Sequence, residues 1–158
     1  MPATVDYYFA PQSPWTYLGH TRFSALVQAS GAQVRLLPVD LGAVFAVSGG
    51  LPLGKRPPQR QAYRVVELRR YSDHLGLPMV VQPRYFPVSG DDAARLIIAV
   101  DQQDGSAAAM RLAGAIFTAV WAQERDIASS QTLAELLEEW GLPLTRLEQS
   151  RSPEVQQQ

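Results

Sequence analysis

Three features of the sequence predict an α/β protein in which a short parallel sheet carries a larger body of helices. Thr4 to Ala10 is dense in β-branched and aromatic side chains, as a strand is. A helical stretch follows from Pro14 to about Ser30, and a second apolar run, Gln33 to Val39, comes directly after it. A helix of about 15 residues between two strands is the crossover expected of parallel neighbours. From residue 41 onward the pattern is mainly helical, with two irregular stretches. The expected organisation is a strand–helix–strand unit over residues 1–40, followed by helices over residues 41–158.

Each element has a local cause. Alternation puts Val5, Tyr7 and Phe9 on one face of the first strand, and Pro11-Gln12 ends it. Ser13 is placed to cap the next helix, with Pro14 at its first position, where a missing N–H costs nothing. Trp15, Leu18, Leu26 and Ala29 are expected on or near its buried side, and Gly31 to stop it. Leu41 to Val47 reads as a short apolar helix, and Gly49 to Pro58 as a Gly/Pro-rich loop carrying Lys55 and Arg56. Gln59 to Leu75 is a helix with Arg60, Arg64, Arg69 and Arg70, closed by Gly76, and Leu77 to Pro87 is extended or irregular. A helix from Asp91 to Gln103 opens on two aspartates, which suit the positive helix end. Ser106 is expected to cap an alanine-rich helix to about Arg125, with Ile116, Val120 and Trp121 in the core. Thr132 and Glu135 stand at capping-box spacing and start a helix through Trp140, stopped by Gly141. Ser152-Pro153-Glu154 repeats the cap-then-proline start, but one turn does not offset its nucleation cost, so the natural polypeptide is expected to continue.

The bulk composition narrows the function. With 158 residues, 46% apolar, the chain is long enough for one well-buried domain. A formal net charge of −1 provides no global basic field for nucleic acid. The absence of cysteine removes disulfide exchange, zinc–thiolate sites and cysteine nucleophiles, and fits a reducing compartment. Met1-Pro2-Ala3-Thr4 runs straight into the first strand with no leader pattern, and the apolar-leaning run Leu112 to Ala122 is too short to span a bilayer. A cytoplasmic protein with a small-molecule or protein partner is expected, with neither nucleic acid nor membrane.

The candidate site is the turn Ser13-Pro14-Trp15-Thr16. The first turn of a helix has free N–H groups and a positive dipole end, and a serine hydroxyl there donates one more hydrogen bond to an anion. For a thiolate the magnitudes are sufficient. Lowering a thiol pKa of about 8.5 by roughly two units takes about 2.7 kcal/mol. A charge-assisted hydrogen bond provides roughly 1.5–3 kcal/mol and a helix end roughly 0.3–2 kcal/mol. The plainer alternative is that Ser13 only caps the helix, and spacing does not decide between the two.

Asp6-Tyr7-Tyr8-Phe9 followed by Ser13-Pro14-Trp15-Thr16-Tyr17-Leu18 resembles the opening of the 2-hydroxychromene-2-carboxylate isomerase and kappa-class glutathione transferase family. That family is a branch of the thioredoxin superfamily related to periplasmic disulfide oxidoreductases. The likeness continues through Pro38 to Phe45, Pro57-Pro58 and Gln61-Ala62-Tyr63, and fades after about Pro87. It implies a thioredoxin-like fold with a helical domain inserted after the second strand. It also implies that Ser13-Pro14-Trp15-Thr16 stands where relatives carry Cys-Pro-x-Cys, and that Ser13 hydrogen-bonds the sulfur of glutathione. Two departures stand out. The family's asparagine before the paired prolines is absent from Gly54-Lys55-Arg56-Pro57-Pro58, which leaves Lys55 as the candidate partner of a glutathione carboxylate. The family's cis-proline loop, two antiparallel strands and last helix are not found before Gln158, so the C-terminal part of the thioredoxin core is expected to be missing from this chain.

The resemblance therefore implies a glutathione-dependent isomerase in which Ser13 is catalytic and Ser13, Pro14, Trp15 and Lys55 bind glutathione. Tyr17, Arg84 and Tyr85 are candidate walls for an aromatic or electrophilic substrate, core packing being the plainer reading of Trp15 and Tyr17. A kappa-type transferase or peroxidase uses the same site, and a non-catalytic interaction protein on the same scaffold is the alternative of another class. A homodimer is implied in either enzyme. Other patterns carry less. Gly49 to Lys55 has the spacing of a phosphate-binding loop but continues with Arg56 instead of serine or threonine. Lys55, Arg56, Arg60 and Arg64 form either an anion-attracting cluster or a solvated helix face. His20 and His74 stand alone, as packing or surface residues do, and no Ser–His–Asp triad is detectable.

Overall fold

The computed structural model describes residues 3–157; Met1 and Pro2, where the leader-free start was read, and Gln158 lie outside the described residues. β1 (Thr4–Phe9) and β2 (Gln33–Pro38) pair in parallel, from Thr4 opposite Gln33 to Phe9 opposite Pro38. The Val39 N–H extends the ladder to the Phe9 carbonyl at 2.8 Å. α1 (Pro14–Ser30) makes the crossover, and Gly31 ends it at φ 64°, a conformation that only glycine adopts without strain. Among the described residues the sheet has these two strands, and the other edge of β1 carries no strand.

α2 (Leu41–Ser48) follows, with Asp40 accepting the Gly42 N–H as its cap. Although nearly all apolar, α2 buries none of its residues. α3 (Pro58–Leu75), α4 (Asp91–Asp104), α5 (Ser106–Trp121), α6 (Ser130–Glu139), α7 (Thr145–Gln149) and α8 (Pro153–Gln156) complete the chain. α5 is the organising element. Its alanines allow close approach, α4 packs along it, and α1 and β2 pack across it. Phe117 in its C-terminal half is fully buried and meets Phe9 of β1 edge-on, ring centroids 5.5 Å apart. One apolar core thus joins the sheet to the helices. At the periphery Arg146 of α7 grips Asp104 of α4 through two hydrogen bonds of 2.7 and 2.9 Å.

Several expectations need correction, each for a local reason. Trp15, Leu26 and Ala29 lie exposed on α1, because the face toward the core is made by buried Pro14, Tyr17, Leu18 and His20 with partly buried Phe23 and Val27. Ser106 is the first residue of α5 and Gly105, at φ 85°, the cap. α5 stops at Trp121, short of Arg125, whose own N–H turns back to the Ala119 carbonyl at 2.7 Å. Ser129, not Thr132, caps α6. Glu135 therefore makes no capping box; it pairs with Arg125 at 2.9 Å. The turn at Ser152-Pro153 is helical after all, since burial of Val155 adds tertiary contact against α4 that a free turn lacks.

His20 is a core histidine. Its Nε2–H donates to the Met110 carbonyl at 3.0 Å, which leaves Nδ1 to accept the Tyr7 hydroxyl at 3.1 Å. Burial pushes the Tyr7 phenol up to about 12, so it remains a donor. Burial also pushes the His20 pKa down, more than the Met110 bond raises it. The unfolded chain therefore takes up a proton at His20, near pH 6.5, before the folded one does. Stability is expected to be full above pH 6.5 and to fall below it, by at most about 1.4 kcal/mol per pH unit from this group. Urea unfolding of the wild type and of His20→Gln between pH 7.5 and 5.5 measures this. Equal slopes for the two proteins would assign the pH dependence to other groups.

Candidate functional site

The chain leaves β1 at the carboxyl end of the sheet, where Ala10 and Pro11 are buried and Gln12 and Ser13 half-buried. The Ser13 N–H bonds the Ala10 carbonyl at 3.0 Å, which closes the turn and aims α1 back across the sheet. Ser13 then caps α1 in extended geometry (φ −78°, ψ 126°). Its Oγ accepts the Thr16 N–H at a long 3.4 Å, and its carbonyl accepts the Tyr17 N–H at 3.2 Å. Among the described residues the hydroxyl hydrogen is thus uncommitted. Pro14 has no N–H, and the Trp15 amide has no acceptor among the described residues. Two donors, the Ser13 hydroxyl and the Trp15 N–H, therefore stand unanswered at the positive end of a 17-residue helix. That arrangement fits an anion, a thiolate included.

The neighbours of the turn come from α3 and from the residue that precedes α4. Gly90, immediately before α4, abuts Gln12 so closely that a Cβ would run into the Gln12 side chain. The Gln12 Oε1 is buried there without a donor among the described residues. On the other side the exposed Trp15 ring meets Tyr71 of α3 edge-on, centroids 5.7 Å apart.

The other candidates are scattered. Lys55 closes a 3-10 turn (Leu53–Lys55) ahead of α3, exposed and without a carboxylate partner among the described residues. From there to Tyr71 is about 20 Å along the helix. Tyr17 is buried, and its hydroxyl donates to the Pro78 carbonyl. Arg84 and Tyr85 are exposed and stack on one another at 5.3 Å. The Arg84 N–H bonds Glu124, whose φ of 53° belongs to the turn after α5. The basic cluster is divided. Arg56 donates to the Leu51 carbonyl and lies over Phe45, Arg60 is exposed, and Arg64 points inward. The inward turn of Arg64, and the Gln12–Gly90 contact, were not readable from spacing.

A groove of about 680 Å³ runs between α1, α5 and α6 with Tyr17, His20 and Arg111 among its walls. A smaller hollow of about 330 Å³ lies on the outer face of α3 at Tyr63, Tyr71 and His74. Neither has Ser13 in its wall. No helix among the described residues is long and apolar enough to cross a membrane.

Residues 4–158 match the DSBA-like thioredoxin domain. The chain is 29% identical over 120 residues to a 2-hydroxychromene-2-carboxylate isomerase of Pseudomonas putida, covering 75% of this chain and 56% of that protein. It is 26% identical over 145 residues to glutathione S-transferase kappa 1 of Caenorhabditis elegans, covering 87% of this chain and 62% of that protein. The chain thus spans a little over half the length of these relatives. A solved 2-hydroxychromene-2-carboxylate isomerase superposes with a TM-score of 0.73 at 25% identity, over 98% of this chain and 74% of that one.

Proposed function

We propose that this chain, which belongs to the DSBA-like thioredoxin domain family, takes part in glutathione-dependent isomerisation of the 2-hydroxychromene-2-carboxylate type. The observation that carries the reading is the pair of unanswered donors at the start of α1, the Ser13 hydroxyl and the Trp15 N–H, in a turn where the sequence has serine instead of cysteine. Two relatives named for this isomerase activity or for glutathione transfer support it.

Ser13 is the catalytic residue of this proposal. Its hydroxyl donates to sulfur and holds the thiol ionised near neutral pH. The Trp15 N–H and the end of α1 add the helix contribution, and Pro14, which has no N–H, fixes the first turn without competing for an acceptor. Bound glutathione would supply the sulfur nucleophile for reversible addition to a conjugated substrate. A cytoplasmic homodimer belongs to the same reading.

The test is a titration of the glutathione thiol by its ultraviolet absorbance, with and without excess protein. The expected result is a bound thiol that ionises roughly two units below the usual 8.5. A bound thiol that titrates at its ordinary value, or glutathione that does not bind, rejects the proposal. A kappa-type transferase is the second reading, favoured by the relative of that name, which aligns with the larger part of the chain. Counting free thiol during turnover separates the two: isomerisation leaves glutathione undiminished, and conjugation consumes it.

A further inference from the structure

Arg64 carries a charge that meets no counter-ion among the described residues. It sits in the middle of α3, half-buried, with its guanidinium 5.2 Å from the ring centroid of Phe86 and 5.8 Å from that of Trp121. Those two rings pack on each other at 4.9 Å, and Trp121 is fully buried. Among the described residues no carboxylate pairs with Arg64 and no oxygen accepts from it. Glu67, one turn further along α3, makes no pair with it, and Glu124 is engaged by the Arg84 N–H. Burial, and then repulsion from Arg56, push the Arg64 pKa down, as expected of a cation with nothing to offset it. The Trp121 Nε1–H beside it is also buried without an acceptor. Donors are in surplus here, and what the place lacks is an anion.

The chemistry of that anion follows from the seat. A guanidinium laid over aromatic rings keeps its in-plane N–H edge free, and that edge matches the two oxygens of a planar carboxylate. Aromatic surface beside the cation suits a flat, apolar remainder. The seat is also connected to the Ser13 turn: Pro87–Ser89 lead from Phe86 to Gly90, which abuts Gln12.

We propose that Arg64, seated on Phe86 and Trp121, binds the carboxylate of a planar aromatic acid. This deepens the isomerase reading by naming the residue that takes the substrate's carboxylate, and rests on that reading for the acid being a substrate. The binding itself is testable alone. Benzoate and its neutral counterpart benzamide are titrated into the protein by calorimetry, in parallel with glutathione. Benzoate is expected to saturate one site and benzamide to bind at least about 10-fold more weakly, the scale of a charge-assisted pair. Arg64→Gln should weaken benzoate at least about 10-fold, with glutathione affinity unchanged. Since losing the stacked cation also removes packing from Trp121, Arg64→Lys is the second variant. It keeps a charge over the rings but not the fork, and should weaken benzoate several-fold while melting as the wild type does. Equal binding of benzoate and benzamide, no saturable benzoate site, or unaltered benzoate affinity in folded Arg64→Lys and Arg64→Gln would overturn the proposal. So would Arg64→Gln losing glutathione and keeping benzoate, which would assign the cation to the tripeptide. Benzoate binding without glutathione binding overturns only the glutathione reading, and the reverse overturns only this one.

Discussion

Phe117→Ala is expected to destabilise the protein by about 3–5 kcal/mol, the range for emptying a fully buried aromatic site. That is a large part of the roughly 5–15 kcal/mol available to a domain. Phe117 is the point at which β1, α1 and α5 meet. Its ring stands edge-on to Phe9 at 5.5 Å and to His20 at 5.0 Å. The neighbours are poorly able to close over the gap, because His20 is held on one side by Tyr7 and on the other by the Met110 carbonyl. Limited relaxation places the cost at the upper end, since the penalty grows with the cavity that remains. Phe117→Leu retains most of the volume and loses the two edge contacts, each worth about 0.5–1.5 kcal/mol, so its cost should be smaller. Urea unfolding decides the matter: the midpoint should fall with an unchanged slope. A loss under about 1.5 kcal/mol for the alanine variant would mean that Phe117 is not the joint described.

That joint shows what the sequence made legible and what it did not. The β1–α1–β2 unit was readable because its signals are local: β-branched alternation, a Ser-Pro start, a glycine stop. So were α3 and α4, which end close to glycine or begin on acids. Errors fell where tertiary contact overrides local propensity. Thr132 and Glu135 satisfy the capping-box spacing, yet Arg125 claims Glu135 and Ser129 caps α6. Val155 makes a turn stable that has too few hydrogen bonds of its own. At the site, Ser13 was legible because capping is local, and the structure adds that its hydroxyl hydrogen and the Trp15 N–H have no acceptor among the described residues. The fate of the basic cluster was not legible. Arg56, Arg60 and Arg64 are four residues apart on or beside one helix, and periodicity does not say which finds an aromatic seat.

Ser13→Ala is expected to lower thiol-dependent turnover at pH 7 by roughly 3- to 25-fold, because it removes a hydrogen bond to a charged atom worth roughly 1.5–3 kcal/mol and with it part of the ionised thiol. In pKa terms the bound thiol should rise by about one to two units. The sign has a signature. Above both pKa values the thiol is ionised with or without help, so the deficit should shrink as the pH is raised through 9, whereas a purely structural defect stays constant or worsens. The same substitution also removes an N-cap, at about 0.5–2 kcal/mol of stability. Ser13→Gly separates the two effects. Glycine costs only a few tenths of a kcal/mol as a cap but has no hydroxyl, so it should melt nearly like the wild type and share the kinetic defect of alanine. Ser13→Thr, which keeps an O–H at the same place, should recover most of the activity. A glycine variant with wild-type turnover would leave Ser13 as a helix cap and nothing more, and the thiolate cradle at the start of α1 would have to be given up.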